Sequence, residues 1–165
     1  MREVGPLATA LDRLDAQGYV NVDRQTLRQV EPWLRWSPAF CTIVMATGTI
    51  LASPLVLWAL AGTAALGTVM SSHPFDYVYN FGVRRLTGTP PLPANGAPRR
   101  FACGTATVWL VATGTAFAAD LTVLGYVLGG VLTAVAALVA TTHFCIPSLI
   151  YGLIFGRPQC ATGQP

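Results

Sequence analysis

Two long stretches of this chain carry almost no charge, and they restrict its fold more than any other feature. Residues 36–75 contain no aspartate, glutamate, arginine or lysine, and residues 101–156 contain only Asp120. Because a helix rises 1.5 Å per residue and must cross about 30 Å of hydrocarbon, each stretch is long enough for two crossings. Only 10% of all residues are charged, against about 25% in a soluble domain. The sequence therefore predicts an all-α integral membrane protein with four transmembrane helices.

A helix breaker near the middle of each stretch divides it into two helices. Pro54 can occupy the first turn of a new helix, where its missing N–H is not needed. Asp120 is a good N-cap and a costly residue at the membrane midplane. Two very long unbroken helices are the alternative, and both breakers argue against them. The predicted transmembrane helices are 37–53, 54–72, 100–118 and 121–143.

The arginines predict the orientation of these helices. All ten lie in the N-terminal region, in the central loop with the start of the third helix, or in the tail, and neither hairpin tip contains one. An excess of arginine marks the cytoplasmic side of a membrane. Both termini and the central loop are therefore expected in the cytoplasm.

The N-terminal segment, residues 1–36, has the most soluble-looking composition. Gly18 is predicted to end one short amphipathic helix and Asp23 to cap the next, and the pair is expected on the membrane surface or against a partner. Its arginines are few and spread out, which argues against nucleic-acid binding. Pro147 is expected to end or kink the fourth helix. The other segments are hairpin 37–72, an aromatic and proline-rich loop 73–99, hairpin 100–156 with its interfacial end, and a tail 157–165.

The two hairpins resemble copies of each other. Residues 45–55 align without gaps onto residues 111–121, and both contain Ala-Thr-Gly-Thr shortly before the hairpin tip. This motif could recur by chance in so biased a composition, but its placement favours duplication. Because both hairpins start on the same side, the repeats would be parallel and related by a twofold axis along the membrane normal.

Small residues recur along the fourth helix, where they permit close approach of another helix. They can serve packing within the bundle, or they can form a docking face for other membrane subunits. The residues concerned are Gly125, Gly129, Gly130 and Ala134.

No catalytic motif is present, because the chain lacks a paired carboxylate in the membrane, a Ser/His/Asp set and a phosphate-binding glycine loop. The predicted topology does bring five thiol and imidazole side chains to the cytoplasmic side, where such groups bind metals or perform redox chemistry. No metal-ligand spacing is met, so ordinary packing is the favoured interpretation of each, and the sequence names no cofactor. The five weak candidates are Cys41, His73, Cys103, His143 and Cys145.

Two sequence runs carry a family resemblance. Residues 99–102, Arg-Arg-Phe-Ala, and residues 143–151, His-Phe-Cys-Ile-Pro-Ser-Leu-Ile-Tyr, resemble the small four-helix bacterial membrane proteins of the domain of unknown function 4395 family. The resemblance covers residues 22–156 and implies a multi-pass protein of the bacterial inner membrane. Members typically close with Phe-Cys-x-x-Cys, and Ser148 replaces the second cysteine here. The resemblance therefore implies that dithiol exchange between these two positions has been lost.

Two hypotheses of function follow. The first is a non-catalytic accessory subunit of a larger membrane complex, such as an electron-transfer or light-harvesting assembly of photosynthesis. It depends on the small size, the missing catalytic groups and the small-residue face. The alternative is a small membrane protein that handles thiols or metals with its cytoplasmic-side cysteines and histidines.

Overall fold

The computed structural model describes residues 6–156, with side chains from Ala10 onward, and this part of the chain is helical without any strand. The tail predicted at 157–165, including Cys160, and the first five residues lie outside the described residues. A 3-10 turn at Trp33–Arg35 leads into α3, and a π-helical turn at Tyr79–Val83 joins α5 to α6. The helices are α1 Pro6–Ala16, α2 Arg24–Val30, α3 Trp36–Ile50, α4 Pro54–Val69, α5 Pro74–Val78, α6 Arg84–Thr87, α7 Ala97–Ala118, α8 Thr122–Thr142 and α9 Ile146–Phe155.

Four helices form the body of the protein. Helices α3 and α4 make one hairpin and α7 and α8 the other, while α4 packs against α7 and α3 packs against α8. The four helices therefore form a closed ring in the order α3, α4, α7, α8. A twofold axis parallel to the helices would exchange the two hairpins and preserve these contacts, as expected for parallel repeats.

Helix length supports two or three membrane spans. Helices α7 and α8, with 22 and 21 residues, are long and apolar enough to cross a membrane. The third candidate is α4 taken together with Pro74–Thr87, which is bent by 82° at the break. Helices α3 and α4 alone have 15 and 16 residues, or about 24 Å at most, which is shorter than the hydrocarbon core. The described residues thus form an all-helical bundle with two to three helices long and apolar enough to span a membrane, and the prediction of four spans is confirmed only in part.

Both hairpins end in the same turn. Ala52 and Asp120 each adopt a left-handed conformation, with φ of 46° and 57°. After each of them, the N–H of the following residue donates to a carbonyl five residues earlier: Ser53 to Gly48 and Leu121 to Ala116, both at 2.9 Å. The expectation that Asp120 caps the second helix of its hairpin was wrong, because Leu121 is the N-cap and no side chain caps α8. Pro54 does occupy the first turn of α4, as predicted.

The turns also correct the register of the predicted repeat. They make Ala52 equivalent to Asp120, whereas the gapless alignment pairs Asp120 with Pro54. The Ala-Thr-Gly-Thr motifs therefore sit two residues further from the tip in α7 than in α3. The two hairpins share the same turn, but the turns and the sequence alignment do not share one gapless register, so the duplication stays a prediction.

The N-terminal segment packs against the chain's own central segment. Gly18, at φ 101°, ends the α1 turn, and Asp23 Oδ2 accepts the N–H groups of two residues in α2, so both predicted caps are confirmed. The apolar residues of α1 and α2, which were expected to contact the membrane surface or a partner, pack instead into a core within the chain. That core contains Leu11, Leu14, Tyr19, Leu27, Val30, Leu34, Tyr79 and Leu92.

The fourth helix ends where its predicted range 121–143 ends it, but Pro147 is not the residue that ends it. His143 adopts a left-handed conformation, with φ of 58°, and terminates α8 four residues before Pro147. Pro147 instead stands in the first turn of α9, where a proline is well tolerated. His143 therefore ends α8, and Pro147 lies in the first turn of the next helix, α9.

Two of the small residues of α8 face the inside of the bundle, and the other two face outward. A Cβ on Gly125 would lie 2.6 Å from the Phe117 ring, and one on Gly129 would lie 2.5 Å from Thr49, so both glycines serve packing inside the bundle. Gly130 has open space around it, and Ala134 is exposed. The predicted docking face is thus divided, and only its outer half is free for lipid or another subunit.

Candidate functional site

A cavity of about 380 Å³ lies within the bundle, near the end at which α3 and α7 begin. Helices α3, α4, α7, α8 and α9 contribute to its wall. The cavity brings together four of the five predicted side chains, while His143 is not on its wall. These four are Cys41, His73, Cys103 and Cys145.

Arg99 is the charged group of this cavity, and it is only 7% exposed. Its Nη1 donates to the Tyr19 hydroxyl at 2.8 Å and its Nη2 to the Leu34 carbonyl at 3.5 Å. The Tyr19 hydroxyl in turn donates to Asn95 Oδ1 at 2.9 Å. Burial raises the pKa of Tyr19 to about 12, against the opposing effect of Arg99, so this residue bonds as a neutral phenol.

Asp76 ends the same network on its far side. Its carboxylate is 4% exposed and accepts the Asn95 amide at 3.4 Å and the His73 backbone N–H at 3.1 Å. Within residues 6–156 no carboxylate lies at ion-pair distance from Arg99. Hydrogen bonds through Tyr19 and Asn95 connect Arg99 to the Asp76 carboxylate. Buried charges that are not paired directly need such hydrogen bonds to remain stable.

His73 connects this network to the thiols. It is the N-cap of α5, where its Nδ1 accepts the Phe75 N–H at 3.4 Å. The opposite edge of its ring lies over Gly67, where an added Cβ would approach His73 Cδ2 to 2.6 Å and Cys103 Sγ to 3.3 Å. The imidazole and the Cys103 thiol therefore meet over a glycine that leaves room for both.

Cys145 has the most specific surroundings of the three cysteines that the structure describes. It is 8% exposed and is the N-cap of α9. The Ser148 hydroxyl lies 3.1 Å from Cys145 Sγ and 3.3 Å from the Pro98 carbonyl oxygen, and its single hydrogen can go to only one of these acceptors at a time. Ser148 therefore contacts Cys145 directly.

A second recess approaches Cys145 from the other side. It has a volume of about 520 Å³ and lies between α1 and α9, with Arg13 and Ser148 on its wall. Gln17 and Cys145 line both this recess and the cavity inside the bundle. Cys145 thus lies between a recess beside the N-terminal segment and a mostly apolar space among the bundle helices.

His143 lies outside the cavity wall and contacts the N-terminal segment. Its Nε2 lies 2.8 Å from Glu31 Oε1 and 2.9 Å from Arg35 Nε. One ring nitrogen cannot donate to Glu31 and accept from Arg35 together, and the carboxylate favours the tautomer with hydrogen on Nε2. Gln17 Nε2 also donates to the His143 carbonyl at 2.7 Å. His143 therefore attaches the end of α8 to the N-terminal segment.

This attachment predicts acid sensitivity. Burial lowers the pKa of His143, with Arg35 and Arg99 acting in the same direction and Glu31 against them. The unfolded chain consequently binds a proton that the folded chain does not, so stability is complete above pH 6.5 and falls as the pH drops below it. We expect a slope of up to about 1.4 kcal/mol per pH unit from this group.

Chemical unfolding of the full chain in mild detergent between pH 5 and pH 8 measures this slope. The His143→Asn variant is the comparison, because asparagine tolerates the left-handed backbone and does not titrate. A slope that is the same in both proteins would assign the acid sensitivity elsewhere.

The described residues hold no group of three or more histidine, cysteine, aspartate or glutamate side chains arranged to hold a metal ion. The sequence did not mark Arg99 as a residue of the cavity wall, nor Tyr19 and Asn95 as its hydrogen-bonding network. It indicated Arg99 as a cytoplasmic arginine before the third helix and as part of the family run at residues 99–102.

The described residues form an all-helical bundle in which two to three helices are long and apolar enough to span a membrane. Three cysteine thiols line a cavity between its helices. The family model described as domain of unknown function (DUF4395) matches residues 31–155. The chain belongs to this family, which confirms the resemblance seen in the sequence. No curated protein and no solved structure matches the chain.

Proposed function

We propose that the protein performs thiol–disulfide exchange within the membrane, with Cys145 as the attacking thiol. The observation that carries this proposal is the meeting of Cys41, Cys103 and Cys145 at one cavity, with the Ser148 hydroxyl 3.1 Å from Cys145 Sγ. Thiol chemistry is the alternative that the sequence left open. The metal-handling form of that alternative has no comparable support among the described residues.

The proposed exchange has two steps. The Cys145 thiolate attacks one sulfur of a small disulfide, forms a mixed disulfide, and releases the other half as a thiolate that takes up the proton lost by Cys145. The Cys103 thiolate then attacks the Cys145 sulfur and releases the second half as a thiolate, which takes up the proton lost by Cys103. Two cysteines are oxidised to one disulfide, and the small disulfide is reduced to two thiols.

Ser148 takes a supporting part in this scheme. A hydroxyl that donates to sulfur stabilises negative charge there during attack and departure. The resolving thiol that the family pattern would put at position 148 is instead supplied from α7 by Cys103. The loss of dithiol exchange implied by the resemblance would then concern only the pair 145 and 148.

The proposed setting is the bacterial inner membrane, with four crossings and both termini in the cytoplasm. The arginines around α6 and the start of α7 support this orientation, because they stand at the cavity end of the bundle. The thiols would then be reached from the cytoplasmic side.

Reaction of the full chain with 4,4′-dithiodipyridine tests the exchange, with release of thiopyridone followed by absorbance and products by intact mass. All variants carry Cys160→Ser so that the tail thiol cannot react. We expect Cys145→Ser to lose the fast phase by about tenfold or more, and Cys103→Ser to stop at the mixed disulfide. The matched control is Cys41→Ser, which should still form the internal disulfide.

Two results would contradict the proposal. Cys145→Ser reacting as fast as the parent would remove Cys145 as the nucleophile. An internal disulfide that survives Cys103→Ser would remove Cys103 as the resolving thiol.

The accessory-subunit hypothesis stays a prediction, with an electron-transfer or photosynthetic complex as the proposed host. The outward half of the α8 small-residue face gives it room for a partner. Native mass spectrometry of the gently solubilised protein tests it, because a stoichiometric partner would support it and a lone chain would oppose it.

A further inference from the structure

The cavity has one polar end and a long apolar wall. Arg99 and Ser37 stand at the polar end, and along α7 the wall continues to Leu110, about 16 Å further at 1.5 Å per residue. Its surface is predominantly apolar beyond the polar end. The apolar wall is formed by Ala102, Ala106, Leu110, Leu132, Val135 and Ala136.

Two polar groups at this end have hydrogen-bonding capacity that the described residues leave unused. The Ser37 hydroxyl is buried, with 3% of the residue exposed, and has no hydrogen-bond partner. A guanidinium carries five N–H donors, and Arg99 uses one toward Tyr19 and one toward Leu34. Buried hydroxyls are normally paired, so the Ser37 hydroxyl indicates a polar ligand at this end, which the remaining N–H donors of Arg99 can also bind.

We propose that the cavity binds a long-chain carboxylate, with its head on Arg99 and Ser37 and its single chain along α7 toward Leu110. The buried guanidinium has no ion-pair partner among the described residues, and a carboxylate matches its planar pair of donors. A volume of about 380 Å³ is near the lower limit for ligand pockets, which suits one chain rather than two. This binding requires no thiol chemistry and stands independently of the exchange proposed above.

The experiment uses the full chain in phosphatidylcholine nanodiscs with a photoreactive palmitate that carries a diazirine in its chain. We expect saturable labelling of the α7 residues on the cavity wall, measured by peptide mass spectrometry at pH 8. Unlabelled palmitate should compete, and hexadecanol should compete at least about tenfold less well, because it lacks the charge that Arg99 binds.

Two substitutions on one helix separate the cavity from the lipid-facing surface. Ala106→Phe fills the apolar wall and is expected to reduce saturable labelling about tenfold or more. Val108→Phe adds the same ring to a position that is 72% exposed, and it should leave labelling unchanged. Equal labelling of both variants would overturn the proposal, as would label confined to outward-facing residues.

Ser37→Ala tests the polar end without a risk to folding. Removing a buried hydroxyl that has no partner should leave the ligand-free protein at least as stable as the parent. The same change should weaken palmitate competition about fivefold, since it removes one hydrogen bond to the carboxylate. Unchanged competition, or equal competition by hexadecanol, would exclude a carboxylate head at this end.

Discussion

Replacing Gly96 by alanine is expected to lower the free energy of unfolding by about 3 kcal/mol, at the upper end of overpacking effects. A Cβ on Gly96 would lie 2.7 Å from the Gly18 Cα and 2.8 Å from the Gly18 carbonyl oxygen. These are backbone atoms, so no side-chain rotation can relieve the contact. The neighbouring residues Tyr19 and Asn95 would be pushed apart, and the hydrogen bond between them would be lost.

Unfolding of the full chain in mild detergent measures this effect. Gly82→Ala is the matched control, because an added Cβ there meets nothing within 4 Å. We expect the control to change stability by less than about 0.5 kcal/mol. Equal stability of the two variants would show that the contact between Gly96 and Gly18 is not required.

Replacing Arg99 by leucine is expected to cost about 3 to 5 kcal/mol of stability. The change leaves the Asp76 carboxylate buried, with 4% of the residue exposed, and without the positive charge that acts on it through Tyr19 and Asn95. Leucine is apolar and fits the wall of the cavity, so the loss would come from the unmatched polar groups rather than from a void. Arg84→Leu, at an exposed position of α6, is the control and should have little effect.

A double-mutant cycle with Asp76→Asn identifies the cause. If the network couples the two charges, Asp76→Asn should recover at least about 1 kcal/mol in the Arg99→Leu background relative to its own effect in the parent. Strict additivity of the two changes would mean that Arg99 and Asp76 act independently.

The sequence predicted most of the helices correctly because local chemistry determines them. The uncharged stretches, the proline of the first hairpin tip and the caps at Gly18 and Asp23 each act over a few residues. The predictions for Asp120 and Pro147 were wrong for a related reason. In both places a left-handed residue ends the preceding helix, and a cap or proline pattern does not reveal which residue will adopt that conformation.

The site was predictable only as far as topology could place it. The predicted topology put all five thiol and imidazole candidates at one end of the bundle, and four of them share one cavity there. The contact of His143 with the N-terminal segment depends on Glu31, which lies 112 residues earlier in the chain. The burial of Arg99 likewise depends on Tyr19, 80 residues away. No local spacing encodes contacts of this kind.

The position of Cys145 between two recesses has a consequence for the order of events at this sulfur. If the proposed exchange takes place, one reactant would reach this sulfur from the α1 side and the other from within the bundle. Because the two recesses are separate spaces that share Cys145, the second reactant would not have to wait for the first to leave.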